Sequence, residues 1–343
     1  MTRRPSARPA SAPYSAPGRR SRRLSNSSRV TLLAAMADPS ALVAALVDGD
    51  RRALARALSI VDRGGAAGDA LCQALPLSTI RSRIVGFTGA GGAGKSTLIA
   101  ALIGATRERG LTVAVLAMDP ASVIGGGALL GDRVRMEEYH ADSGVFVRSV
   151  AARGNAGGIS RSTASALAVL RAAGFDAIFV ESIGAGQDQI DLASLVDTLV
   201  LVEAPNLGDD VQALKSGVRE HADIIVVAKS DIPGADASVA ILTANARDEA
   251  QSTGIERSVV RVSAYTGEGI ADLLDRLLEP PRPNARRESI PAAQLRALVA
   301  DEAAKLAIET LDGPTLARLQ ARIDAEPGHA RQIAREWLID SRR

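Results

Sequence analysis

The strongest chemical signal in the chain is one short run, Gly89-Ala90-Gly91-Gly92-Ala93-Gly94-Lys95-Ser96. It fits the spacing G-x-x-x-x-G-K-[ST] at every position and is followed by Thr97. Glycines at this density let the backbone curl with its N–H groups turned inward and no Cβ in the way. Such a loop, opening into a helix, binds phosphate anions through its amides and the positive end of the helix. Lys95 then supplies a point charge to the terminal phosphates, and the Ser96 hydroxyl is a hard oxygen ligand suited to Mg²⁺.

Two acids stand at the ends of apolar runs where they would complete that site. Asp119 follows Val113–Met118, and Pro120 stops the run. Glu181 ends "DAIFVE", and "ESIG" continues to Gly184. This resembles the D-x-x-G switch of GTPases written as E-x-x-G, with Gly184 offering a backbone N–H to a terminal phosphate. Lys95, Glu181 and Gly184 are therefore the expected catalytic set, and Ser96, Asp119 and Glu181 the expected Mg²⁺ ligands. For the base, "IIVVAKSD" ends in Ala228-Lys229-Ser230-Asp231, which is N-K-x-D with Ala in place of Asn. An Asp here accepts from guanine N1–H and the exocyclic amine, groups adenine lacks, while the Lys stacks on the ring. "VRVSAYTGEG" adds Ser263-Ala264 after another apolar run, where a backbone N–H would meet guanine O6. GTP and GDP are the expected ligands. The missing Asn hydrogen bond should weaken them by roughly 1 kcal/mol and leaves ATP open.

The elements that must hold these residues read as alternating strands and helices. Apolar strands are predicted at Ile84–Thr88, Thr112–Ala117, Val145–Val150, Ala177–Glu181, Thr198–Val202, Ile224–Ala228 and Val259–Val262. Helices are predicted at Ser96–Arg109, Ser160–Ala173, Ser238–Gln251 and Ile270–Leu278. Continuous apolar strands separated by helices imply an α/β fold, a P-loop NTPase with a mostly parallel sheet covered on both faces. Ligands of such sheets sit at the carboxyl ends of the strands.

With this body, the chain divides into four expected segments. Residues 1–37 hold eight arginines and no acid, a disordered basic tail; Met36 reads as an alternative start. Residues 38–80 form a helical extension, with Asp38-Pro39 as cap and first position and a turn at Asp48–Asp50. Residues 81–280 form the nucleotide domain. Residues 281–343 begin with a Pro/Arg linker and continue as three helices, a cap on the sheet or a dimerisation arm.

Bulk properties exclude other classes. The 343 residues are 46% hydrophobic, enough for a sizeable core. No run of about 18 apolar residues exists to cross a membrane. The net charge of +2 owes its sign to the tail, and aromatics are only 2%, which argues against nucleic-acid binding. One cysteine, Cys72, fits a reducing, cytoplasmic setting, and His140, His221 and His329 show no metal-ligand spacing.

Longer stretches carry a family resemblance. "VAVLAMDPASVIGGGALLGDRVRM" (Val113–Met136), "VFVRSVAARGNAGGIS" (Val145–Ser160), "FDAIFVESIGAGQ" (Phe175–Gln187) and "APNLGDDVQALKSGVREHADIIVVAKSD" (Ala204–Asp231) resemble the MeaB/ArgK GTPases, the methylmalonyl-CoA mutase-associated G-protein chaperones. Departures are Ala228, Asn155-Ala156 and Ala121. The resemblance implies a GTPase acting as chaperone to an adenosylcobalamin-dependent acyl-CoA mutase, governing cofactor loading and protection, and a homodimer. It also implies that Asp132-Arg133 and Asp209, Gln212 and Lys215 belong to switches that report nucleotide state. The alternative is a P-loop kinase passing its γ-phosphate to a protein or small molecule, as in the transport-system kinase reading of ArgK; no acceptor site is evident for it.

Overall fold

In the computed structural model, the described residues are 38–76, 82–120, 139, 141–152, 161–182, 188–205, 219–280, 311–325 and 330–340. Three short helices come first: α1 (Pro39–Val47), α2 (Arg51–Arg63) and α3 (Gly65–Ala74). Asp38 caps α1, its side chain accepting from Ser40 N–H, and Asp50 caps α2 by accepting from the N–H groups of Arg52 and Ala53. Such caps satisfy amides that the helix itself leaves bare. The sequence reading ran a single helical stretch through residue 64, but Gly64 and Gly65 both take positive φ and break it.

The sheet then alternates with helices as the apolar periodicity requires. In chain order come β1 (Arg83–Thr88), α4 (Lys95–Glu108), β2 (Val113–Pro120), β3 (Val145–Ala152), α5 (Arg161–Ala172), β4 (Ala177–Glu181), α6 (Asp188–Leu195), β5 (Thr198–Glu203), β6 (Ile224–Val227), α7 (Ala235–Thr253), β7 (Ser258–Arg261) and α8 (Ile270–Leu278). Two helices follow, α9 (Gly313–Ala325) and α10 (Ala330–Asp340). The seven strands order as β3-β2-β4-β1-β5-β6-β7, and every pairing is parallel. Helix α6 had no counterpart in the sequence reading; it is only a little over two turns long, too short for a clear period.

The strands feed two hydrophobic clusters, one per face, because successive side chains point to opposite sides. On one face Val85, Phe87, Phe179, Val200 and Val202 pack with Leu98, Ile99, Leu102 and Ile103 of α4 and Leu273, Leu274 and Leu277 of α8. Phe87 and Phe179 meet edge to face, ring centroids 5.5 Å apart. On the other face Ile84, Leu116, Ile178, Val180 and Leu199 pack with α5, with Leu192 of α6, and with Val43, Leu46, Leu54, Leu58, Val61 and Leu71 of α1–α3. The helical extension is thus part of the core of the sheet rather than an appendage. Arg51 fastens it further, its guanidinium donating to the carbonyls of Asp142, Ser143 and Val145 and lying over the Phe146 ring. At the same corner the Arg107 guanidinium, and then the Gly144 N–H, hold the Asp142 carboxyl below its ordinary value.

At the C-terminal end Ile333 is buried and Arg322 of α9 pairs with Glu336 of α10 at 2.9 Å. The expected helix marked by Leu295, Leu298, Val299 and Leu306 lies outside the described residues, as do the tail 1–37 and the linker from residue 281 to 288. No described helix is long and apolar enough to cross a membrane.

One packing contact is tight enough to test. Gly86 lies mid-strand in β1, and a Cβ there would come 3.0 Å from two atoms of Leu192 and 3.1 Å from Val196. Gly86→Ala should therefore overpack this seam and cost about 1–3 kcal/mol. The expected readout is a melting temperature lower by several degrees. Adding Leu192→Ala to Gly86→Ala should cost less than the two single losses summed, because the first change makes room for the second; strict additivity would refute the contact.

Candidate nucleotide site

The carboxyl ends of β1, β4, β5, β6 and β7 lie side by side, and most of the candidate residues hang from them. β1 sits between β4 and β5, with Phe87 in register with both Glu181 and Val200. Directly after β1, Gly89 takes φ +144°, and a Cβ on it would collide with the Val202 carbonyl oxygen at the end of β5. Only glycine can pass there. Gly92 and Gly94 also take positive φ, and Gly94 precedes the first turn of α4. The loop Gly89–Gly94 thereby curls over the sheet edge and delivers Lys95 as the first residue of the helix. The Ala93 N–H donates to the Ala90 carbonyl and closes the curl. Thr97 lies on the exposed side of the same first turn.

Lys95 and Ser96 are both buried. The Lys95 ammonium donates to the carbonyls of Gly89 at 2.9 Å and Ala90 at 3.1 Å, so its charge is held inside the curl. The Ser96 hydroxyl donates to Glu181 Oε1 at 2.6 Å. Two residues 85 positions apart in sequence thus meet because Glu181 ends β4, next to β1, and Ser96 begins the helix that follows β1. A buried hydroxyl and a buried carboxylate in contact are hard oxygen donors of the kind Mg²⁺ prefers, so the pair fits that ion. Asp119 is the penultimate residue of β2, which runs on through Pro120 instead of stopping before it, on the far side of β4 from β1; the Asp119 side chain lies outside what the structure describes. Gly184 lies outside the described residues, as do Ala121, Asp132-Arg133, Asn155-Ala156, Asp209, Gln212 and Lys215.

The second group forms a wall beside the loop. Ala228, buried just past β6, donates its N–H to the Glu203 carbonyl at 2.8 Å. Lys229 takes φ +54°, the only positive φ of a described non-glycine residue. Its chain reaches back across the phosphate loop, the ammonium donating to the Gly92 carbonyl at 2.8 Å. Left-handed backbone at a long side chain costs roughly 1–3 kcal/mol and persists where its surroundings impose it. Asp231 is exposed, and one of its oxygens accepts from the fully buried Ser263 hydroxyl at 2.6 Å. That bond fixes the carboxylate of the 228–231 segment to the loop after β7. The Ser263 N–H is itself given to the Glu268 carbonyl. Of the Ser263-Ala264 pair, Ala264 is therefore the one whose amide suits a ligand.

The sequence reading missed four polar residues at this edge. Glu203 ends β5, is 5% exposed, and by alternation from Val202 faces the side of the sheet away from α4. Thr88 and Ser182 are buried hydroxyls without a hydrogen-bond partner among the described residues. Glu268 ties the two base-side loops, accepting from Ser230 at 3.4 Å and pairing with Arg261 at 3.3 Å. Each follows an apolar strand or a turn glycine and so looks, in one dimension, like an ordinary strand end. Among the described residues no group of three or more His, Cys, Asp or Glu converges as a metal cluster.

Comparison with known proteins decides the lineage of this arrangement. The family described as methylmalonyl Co-A mutase-associated GTPase MeaB matches residues 54–312, well over half of the chain. The chain belongs to the MeaB family. A Pyrococcus horikoshii protein named as a candidate GTPase is 42% identical over 241 residues, 69% of this chain and 76% of its own length. The mouse methylmalonic aciduria type A homolog, mitochondrial, is 34% identical over 260 residues, 69% of this chain and 62% of its own. The Escherichia coli GTPase ArgK is 36% identical over 190 residues, 54% of this chain and 57% of its own. Among solved structures, an LAO/AO transport system kinase superposes with a TM-score of 0.61 at 21% identity, covering 89% of this chain and 98% of that one. At that identity it shows a common P-loop fold. The MeaB match spans α2 through β7 and α8, and so takes in part of the helical extension that the hydrophobic core had already joined to the sheet.

Proposed function

We propose that this MeaB-family chain binds GTP and GDP and hydrolyses GTP slowly. We further propose that the nucleotide state governs delivery and protection of adenosylcobalamin in an acyl-CoA mutase of the methylmalonyl-CoA type. The observation that carries the nucleotide half is the 2.6 Å contact of Ser96 with Glu181 beneath a glycine loop that holds Lys95. The family description and the mouse relative's name support the mutase half.

In this reading Gly89, Ala90, Gly91, Gly92, Ala93 and Gly94 turn backbone amides toward the phosphates, joined by the first amides of α4 at Lys95, Ser96 and Thr97. Lys95 stabilises charge that grows on the terminal phosphate, and Gly184 adds a backbone donor. Ser96, Glu181 and Asp119 would hold Mg²⁺, which when bound neutralises phosphate charge. Asp231, fixed by Ser263, reads the guanine N1–H and amine; Ala264 offers its N–H to O6; Lys229 lies along the ring. Asp231 has no equivalent partner on adenine, which favours guanine. No described side chain is placed as a strong base, so hydrolysis should be slow until a partner orders the switch segments. Residues 38–280 act as the nucleotide-binding unit and 281–343 as an arm that pairs two copies. In the same reading the chain works in the cytoplasm, with no role toward nucleic acid or membrane. Transfer of the γ-phosphate to an acceptor instead of water would mark the kinase alternative.

Three outcomes are expected. Lys95→Ala should abolish phosphate release while its melting curve stays close to the parent's; a parent-like rate would remove Lys95 from the site. Ala228→Asn should tighten GTP about 5-fold by restoring roughly one hydrogen bond at the junction of base loop and phosphate loop. An unchanged dissociation constant by calorimetry would count against the base assignment. Finally, the full chain should retain a cobalamin-dependent acyl-CoA mutase from host extract differently with GDP and with a non-hydrolysable GTP analogue. Equal capture, or none, would reject the nucleotide-gated chaperone.

A further inference from the structure

We infer that Tyr265 is a base-binding residue that covers one face of the purine, opposite the Lys229 side chain. This rests on the nucleotide reading above and extends it to a side chain that no motif singles out. Tyr265 is 90% exposed. Every other described aromatic is buried or half-buried: Phe87, Phe146 and Phe179 in the core, and Tyr139, Phe175 and Trp337 partly covered. A large ring left in solvent on a flexible loop would mean little, but this loop is tied down on both sides of the ring. The Ser263 N–H donates to the Glu268 carbonyl at 2.9 Å, the Gly267 N–H to the Ser263 carbonyl at 2.9 Å, and the Thr266 N–H to the Ser263 hydroxyl at 3.1 Å. Tyr265 therefore stands at the apex of a closed turn.

That turn is locked to the base-reading carboxylate. The Ser263 oxygen that accepts from Thr266 also donates to Asp231 at 2.6 Å. A base whose edge is held by Asp231 thus lies within a ring's reach of Tyr265, two residues beyond Ser263 and next to Thr266. The Lys229 ammonium is drawn across to the Gly92 carbonyl, and in the proposed pose its alkyl chain covers the other flank of the base. A purine between them has an aliphatic stem and cation on one side and an aromatic face on the other. Aromatic rings stack on any base because every base has a π-face, and the contact is indifferent to the hydrogen-bonding edge. With Ala228 supplying no side-chain hydrogen bond, stacking carries more of the base affinity here than in a chain with Asn at that position.

The test uses the full chain, Mg²⁺ and calorimetric titration with GDP, GTP and IDP, the last lacking the exocyclic amine that Asp231 reads. Tyr265→Ala should weaken all three about 10-fold and by the same factor, so that the GDP-to-IDP ratio is unchanged. Tyr265→Phe should retain parent affinity, because the ring and not the hydroxyl makes the contact. Asp231→Asn should instead collapse the GDP-to-IDP ratio. Tyr265→Ala binding GDP as tightly as the parent would overturn the inference and hand the exposed ring to a protein partner. Tyr265→Phe losing as much as Tyr265→Ala would overturn it too, as would a lowered melting temperature in Tyr265→Ala. Failure of the nucleotide reading is seen in the parent alone, as no heat with any of the three ligands.

Discussion

The structure turns on the seating of β1 between β4 and β5. Parallel pairing on both sides leaves β1 no freedom of position, and the chain leaving it must turn at once over the β5 backbone. The Val202 carbonyl forbids a side chain at that turn, so Gly89 is a steric requirement before it is a chemical one. From this single constraint the rest follows in order. The loop curls because it has been started in a conformation open to glycine. The helix begins at Lys95 because the curl ends there. Ser96 reaches Glu181 because β4 is the strand on the other side of β1.

The phosphate half of the site was legible in sequence because its residues are contiguous and their types are dictated by backbone geometry. Strand positions, and those of every helix of the sheet domain but α6, were legible because apolar runs buried on both faces are hard to mistake, and the predicted boundaries lie within a few residues of those observed. Three features were hidden. The break at Gly64-Gly65 looks like helix interior unless φ is known, since glycine is tolerated inside helices at modest cost. The sharing of one core by α1–α3 and the sheet depends on which face the strands present, and linear order does not carry that. The polar edge formed by Thr88, Ser182 and Glu203 arises at the ends of three strands far apart in the chain, each end contributing one residue that is ordinary alone.

The base half shows a different limit. "AKSD" and "SAYTGEG" name the residues but not their division of labour. Only the three-dimensional arrangement reveals that Ser263 spends its own N–H within its turn and uses its hydroxyl to steady Asp231. The backbone of Lys229 explains itself likewise. A left-handed residue directs the chain so that the ammonium can join the phosphate loop, linking the two halves of the site through a hydrogen bond to a carbonyl.

The alternation of side chains along β4 has one more implication. Phe179 and Glu181 share a face, and Val180 between them belongs to the opposite cluster. Sliding that strand by a single residue would carry the carboxylate out of reach of Ser96 and bring Val180 or Ser182 into its place. The same displacement would swap Phe179 away from Phe87 and put Val180 and Ile178 into a layer shaped for aromatic edges. The oily interior therefore acts as the alignment gauge for the polar rim: chemistry at the strand tips is kept true by hydrocarbon several ångströms below it.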